Sequence, residues 1–140
     1  KKTEIIQNFG GDIDKFVGDE VMAIFKGDQM ANQAVDCAVE IQAEIQRLNR
    51  ELGKNIEIGI GINSGSMVMG AMGSKDRMDF TVIGDNVNLA SRLCSAAKAG
   101  EVIISENTNK LLVDINSKMI KLDPIQVKGK EKPIQIYRVE

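Results

Sequence analysis

Apolar residues recur at helical spacing from Asp28 to Leu52. Ala31, Ala34, Val35, Ala38, Ile41, Ile45, Leu48 and Leu52 share one face, while Glu40, Gln42, Glu44, Arg47 and Arg50 fall mostly elsewhere on the wheel. This predicts a long amphipathic helix ended by Gly53. The period then changes. Ile56-Glu-Ile-Gly-Ile-Gly-Ile62 alternates large side chains with small or polar ones, as a strand with one strongly apolar face would. Asn63-Ser-Gly-Ser66 reads as a turn and Met67–Met72 as the returning strand, so 56–72 is expected to form a hairpin. An earlier hairpin is expected over Ile13–Phe25, with Gly18-Asp19 at its turn. Thr3–Phe9 reads as the last turns of a helix stopped by Gly10-Gly11. Downstream, Gly73–Asp76 reads as a loop, Asp79–Ile83 as a strand, and Asp85–Ala99 as a helix closed by Gly100. Val102–Ile104 is a short buried strand, followed by a helix from Ser105 through Val113. Strands Met119–Leu122, Ile125–Val127 and Ile134–Val139 complete the chain. Several hairpins without strict βαβ alternation argue for an α+β domain over residues 1–140, a largely antiparallel sheet with helices packed on it.

Composition narrows the chemistry. Hydrophobic residues make up 43% of the 140, enough for a core, yet only 4% are aromatic and Trp is absent. The core is therefore aliphatic. A net charge of −2 argues against a general nucleic-acid surface, so phosphate binding must come from a local cluster of Lys and Arg. The absence of His removes imidazole acid–base catalysis and His-ligated zinc. Cys37 and Cys94 sit among apolar residues in helical patterns, as buried thiols of a reducing compartment would. No apolar run reaches spanning length and no signal peptide is visible, so a cytoplasmic domain without direct membrane contact from this segment is expected.

The stretch Phe80-Thr-Val-Ile-Gly-Asp-Asn-Val-Asn-Leu-Ala-Ser-Arg92 carries the sharpest chemical signal. A β-prone run ends at Gly84, and a helix opens with Asn88 and Arg92 spaced i,i+4 on one face. Such a pair can reach one ligand from a rigid support, and a guanidinium suits a phosphoryl group. A capped surface helix with a solvated Arg would show the same spacing. Asp19, at a hairpin turn, is well placed to offer a carboxylate to a metal, although Asp is also an ordinary turn residue. The glycines at 59, 61, 65, 70 and 73 match neither a Walker loop nor a dinucleotide fingerprint.

Three motifs in order carry a resemblance. They are Lys15-Phe-Val-Gly-Asp-Glu-Val-Met-Ala-Ile-Phe25, the Asn88–Arg92 helix opening, and Val127-Lys-Gly-Lys130. Together, from Gly10 to Val139, they resemble the class III nucleotidyl cyclases, the adenylate and guanylate cyclase catalytic domains. The resemblance implies a ferredoxin-like, palm-type core with a C-terminal β extension. It implies that ATP is converted to cyclic AMP and pyrophosphate in signal transduction. Asp19 would bind two divalent ions, Mg2+ or Mn2+. Lys15 and Thr81 match the base-reading pair. An ammonium can donate to adenine N1 and a hydroxyl can accept from the adenine amino group, whereas guanine would need an acceptor in place of the ammonium. This Lys/Thr pair is associated in the family with responsiveness to bicarbonate or carbon dioxide. Asn88 matches the residue that orients the ribose, Arg92 the one that stabilises α-phosphoryl charge, and Lys128 the one that holds the terminal phosphates. The family builds its sites from two subunits, so the resemblance implies a head-to-tail homodimer with shared active sites, and regulatory domains in a longer parent chain.

One family feature is not found. The first metal aspartate lies on an opening strand with a pattern like Phe-x-Asp-x-x-Gly-Phe-Thr, which this sequence lacks; Asp12 and Asp14 lie at the hairpin entry and are not substitutes. The chain is therefore expected to start after the family's N-terminal strand and first helix, and to be inactive as it stands. Two rivals share parts of the pattern. Val17-Gly-Asp-Glu20 resembles the signature turn of diguanylate cyclases, and a non-catalytic nucleotide-binding or dimerisation module would keep the same fold.

Overall fold

A computed structural model describes residues 2–17, 20–65, 68–74, 77–83, 85–115, 117–126 and 133–140, with the backbone alone described at 2, 3, 12, 14–17, 20, 68–74 and 77–83. Helix α1 (Lys2–Asn8) opens the chain and stops where the pair of glycines predicts. Gly10 takes φ of +89°, Gly11 N–H donates to Ile6 O at 2.9 Å, and Gly10 N–H donates to Gln7 O at 3.0 Å. That double bond is the Schellman stop, which needs a residue without Cβ strain at the left-handed position. Strands β1 (Asp12–Val17) and β2 (Glu20–Ile24) form the first expected hairpin, closed by Val17 opposite Glu20, with an irregularity between Ile13 and Lys15.

Helix α2 (Met30–Leu52) is the long amphipathic helix of the apolar periodicity. Val35, Ala38, Cys37 and Ile41 are buried, and Gly53 ends the helix in the left-handed conformation. Burial deprives the Cys37 thiolate of water and pushes the thiol up to about 11. Neither Cys37 nor Cys94 forms a disulfide; Cys37 is buried as expected, whereas Cys94 is only partly buried.

The expected hairpin over 56–72 does not form. Strand β3 is only Ile60–Ile62 and pairs in parallel with β6 (Val102–Ser105), Ile60 facing Val102 and Ile62 facing Ile104. The Asn49 side chain takes Ile56 instead, accepting from its N–H at 2.9 Å and donating to its carbonyl at 3.0 Å, so that residue cannot enter a ladder. Strand β4 (Val68–Ser74) pairs with β5 (Arg77–Ile83) in register from Val68–Ile83 to Ser74–Arg77. Gly73 and Ser74, expected in a loop, therefore belong to the ladder.

Helix α3 (Asp85–Ala96) follows β5, and helix α4 (Glu106–Leu111) follows β6. Ser105 caps α4 by accepting from Thr108 N–H. The helix ends earlier than expected because the Asn32 side chain holds both backbone groups of Val113, accepting its N–H at 3.0 Å and donating to its carbonyl. Strand β7 (Met119–Lys121) pairs with β8 (Ile136–Val139), and β8 pairs antiparallel with β6. The expected strand over Ile125–Val127 is reduced, among the described residues, to one bridge between Ile125 and Ile134. The order β3-β6-β8-β7 makes a four-stranded mixed sheet beside two antiparallel pairs.

Both faces of this sheet are covered. Val102, Ile104 and Val139 pack with Val35 and Ala38 of α2, while Ile103 and Ile136 pack with Leu89 and Leu93 of α3. A strand buried on both sides must be apolar at every position, which is why Val102-Ile-Ile104 shows no alternation. Helix α3 comes close because β3 offers it glycines. A Cβ on Gly61 would stand 2.3 Å from Cys94 N, and one on Gly59 2.8 Å from Ala97 Cβ and O. The small face of Ile56–Ile62 is thus a helix-packing surface, and its isoleucine face serves α2.

Candidate active site

Helix α3 presents two faces. Val87, Leu89 and Leu93 are buried, whereas Asn88 and Arg92 are exposed on the outer side. The two polar groups stand one turn apart, about 6 Å along the axis. Their support is rigid, because Leu93 is completely buried and the helix lies on glycine backbone. The structure thus sets the amide and the guanidinium together on one open helix face.

The remaining expected residues are only partly within view. Lys15 lies on β1 opposite Met22, and Thr81 lies on β5 opposite Gly70. Strand β1 approaches β5, and β5 leads into α3 and packs near it, so the backbone gathers the three elements at one side of the domain. The side chains of Lys15 and Thr81 lie outside the described residues, as do Asp19 and Lys128 altogether. The β1–β2 ladder ends at the pair Val17–Glu20. Among the described residues no cluster of three or more carboxylates or thiols could hold a metal. A hard cation of the magnesium type takes one or two carboxylates and completes its shell with water and substrate phosphate.

A group the sequence reading missed lies at the C-terminal ends of β3 and β6. Asn63 Nδ2 donates to Asn86 O at 2.9 Å and to Asn86 Oδ1 at 3.2 Å, and Asn63 Oδ1 accepts from Ser105 Oγ at 2.6 Å. Ser64 and Thr108 hydroxyls meet at 2.8 Å. Ser105 and Thr108 are almost wholly buried. The Asn63-Ser-Gly-Ser66 segment reads locally as a turn. Nothing in it announces that its amide spans two distant elements, because that depends on the parallel β3–β6 pairing. The Ser105 cap is the one local signal.

Comparison with known proteins places the chain. The model of the adenylate and guanylate cyclase catalytic domain matches residues 4–140. A terminal-differentiation-specific adenylate cyclase of Dictyostelium discoideum is 37% identical over 147 aligned residues, covering 96% of this chain. The chain spans only 7% of the length of that relative. The crystal structure of the adenylyl cyclase CyaB from P. aeruginosa superposes with a TM-score of 0.88 at 38% identity, covering 99% of this chain and 76% of that one. The guanylyl cyclase Cya2 superposes with a TM-score of 0.84 at 33% identity, over 99% of this chain and 74% of its own. The fold is accordingly the ferredoxin-like palm of these catalytic domains.

Proposed function

The chain belongs to the family of adenylate and guanylate cyclase catalytic domains, and on that premise we propose that it is the catalytic domain of an adenylate cyclase in a longer signalling protein. The substrate is ATP. The observation that carries the reading is the shared exposed face of Asn88 and Arg92 on a helix locked against the sheet. Lys15 and Thr81, on strands that approach one another, supply the preference for adenine over guanine.

In this reading the ribose 3′-hydroxyl attacks the α-phosphorus in line. The new bond closes the cyclic phosphodiester, the α–β bridging bond breaks, pyrophosphate leaves with its charge, and the hydroxyl proton passes to solvent. Asn88 holds the ribose so that the hydroxyl faces the phosphorus. Arg92 donates to the α-phosphoryl oxygens as charge builds there, and Lys128 holds the terminal phosphates. Preorganised cationic donors of this kind lower a barrier by roughly 3–4 kcal/mol. Asp19 would hold Mg2+ or Mn2+, which supplies charge neutralisation and a lower pKa for a bound hydroxyl. No protein nucleophile enters, in keeping with the absence of His. In this reading Arg92 and Asn88 of one copy act with the Asp19 of a second, so the working unit is a homodimer.

The test is product analysis. Full-length protein with Mg2+ or Mn2+ is supplied with ATP or GTP, and the products are separated by chromatography. Cyclic AMP from ATP is the expected main product. Faster formation of cyclic GMP would overturn the base assignment. Cyclic di-GMP, or no cyclic nucleotide at all, would overturn the function.

A further inference from the structure

We propose that Asn63 is a positioning residue for this reaction, acting through the first turn of α3. The inference rests on the functional reading of Asn88 and Arg92 given above. The apolar contacts of Leu89 and Leu93 hold α3 down at its height over the sheet, but such contacts are non-directional and do not fix the rotation of the helix. Directional bonds do that, and Asn63 provides them. Its amide nitrogen reaches both oxygens of Asn86, at 2.9 and 3.2 Å, in the first turn of the helix. Its oxygen is pinned by Ser105 Oγ at 2.6 Å, and Ser105 is only 1% exposed. The Ser105 pin thereby also decides which way the amide points, with its donors towards α3. On the other side the loop closes over the same residue, since a Cβ on Gly65 would stand 2.4 Å from Asn86 Nδ2.

Asn86 is thus gripped between Asn63 and the loop at Gly65. Asn88 lies two residues beyond it and Arg92 six, on the same rigid helix. A small rotation or slide at Asn86 is carried to both groups. Displacement of reacting groups by about 1 Å typically costs about 100-fold in rate. Asn63 touches neither substrate nor metal in this scheme, so its effect must appear in turnover and not in nucleotide affinity.

The variant Asn63→Asp tests this in the full-length protein. It keeps the size and the acceptor for Ser105 but replaces both donors with an oxygen that faces the Asn86 oxygens. The expected result is a fall in kcat of roughly 10–100-fold with KM for ATP changed by less than about threefold. In parallel, the amide resonances of residues 85–92 should shift together while those of α2 stay in place. Should Asn63→Asp protein, folded at the assay temperature, keep its kcat while only its melting temperature drops, the residue is structural and the inference is overturned. Equal changes in kcat/KM and KM, with kcat intact, overturn it as well. Wild-type protein that makes no cyclic nucleotide overturns the functional reading beneath it, a result distinct from an active wild type with an equally active variant. Ser105→Ala, which frees the amide to rotate, should give a smaller loss of the same kind.

Discussion

Replacing Gly61 with alanine should damage turnover more than its single methyl group suggests. The added Cβ would lie 2.3 Å from Cys94 N, 2.7 Å from Leu93 C and 2.8 Å from Leu93 Cβ. Two of those three atoms are helix backbone, so no side-chain rotation relieves the clash. Ordinary contact begins near 3.4 Å, and α3 must therefore lift by more than 1 Å. Overpacking of this kind costs roughly 1–3 kcal/mol, which for a domain of this size lowers the melting temperature by roughly 3–12 °C. Asn88 and Arg92 ride on the lifted helix, and a shift of about 1 Å removes about 100-fold from the rate. The informative control is Val35→Ala. Val35 is also fully buried but packs on the α2 face of the sheet, and its truncation costs about 2 kcal/mol. Calorimetry and a cyclic AMP assay well below both melting transitions should show similar destabilisation in the two variants and a severe loss of kcat only in Gly61→Ala. Equal activity in the two would refute the claim that the height of α3 over β3 sets the reaction geometry.

Three further outcomes follow from the same account. Arg92→Ala should lower kcat by roughly 100–1,000-fold while leaving ATP binding within about threefold; equal losses, read by steady-state kinetics and nucleotide titration, would remove its transition-state role. Lys15→Glu should weaken ATP use and improve GTP use, and a competition assay with both nucleotides that shows undiminished ATP selectivity would refute base reading at that position. Cys37 gives a pH dependence whose sign is fixed. Its folded thiol titrates at about 11 against an ordinary 9.0, so above pH 9 the unfolded chain loses this proton first and is favoured. Stability contributed by this residue is intact below pH 9 and falls between pH 9 and about 11. Urea midpoints across that range should decline less in Cys37→Ala; parallel declines would contradict the burial argument.

What could be read from the chain was local. The apolar face of α2, the Schellman stop at Gly10-Gly11 and the first hairpin are each written in neighbouring residues. So is the Asn88–Arg92 face, because an i,i+4 spacing needs only a helix. The pairing of β3 was not legible. A turn-like Asn63-Ser-Gly-Ser66 between two β-prone runs favours a hairpin on local grounds, yet Ile60 pairs with Val102, more than 40 residues away. Only the three-dimensional layering shows that Gly59 and Gly61 make room for a helix and not for solvent. The Asn63–Ser105 bond was hidden for the same reason, since it exists only once β3 and β6 lie side by side.

The dimeric site is tested most directly by mixing two crippled chains. Full-length Asp19→Asn and Arg92→Ala proteins should each be nearly inactive. Combined in equal amounts and allowed to exchange subunits, half of the dimers carry one site with neither change, so cyclic AMP formation should recover to about a quarter of the wild-type rate. A mixture that exchanges subunits yet stays as inactive as its components would contradict the account.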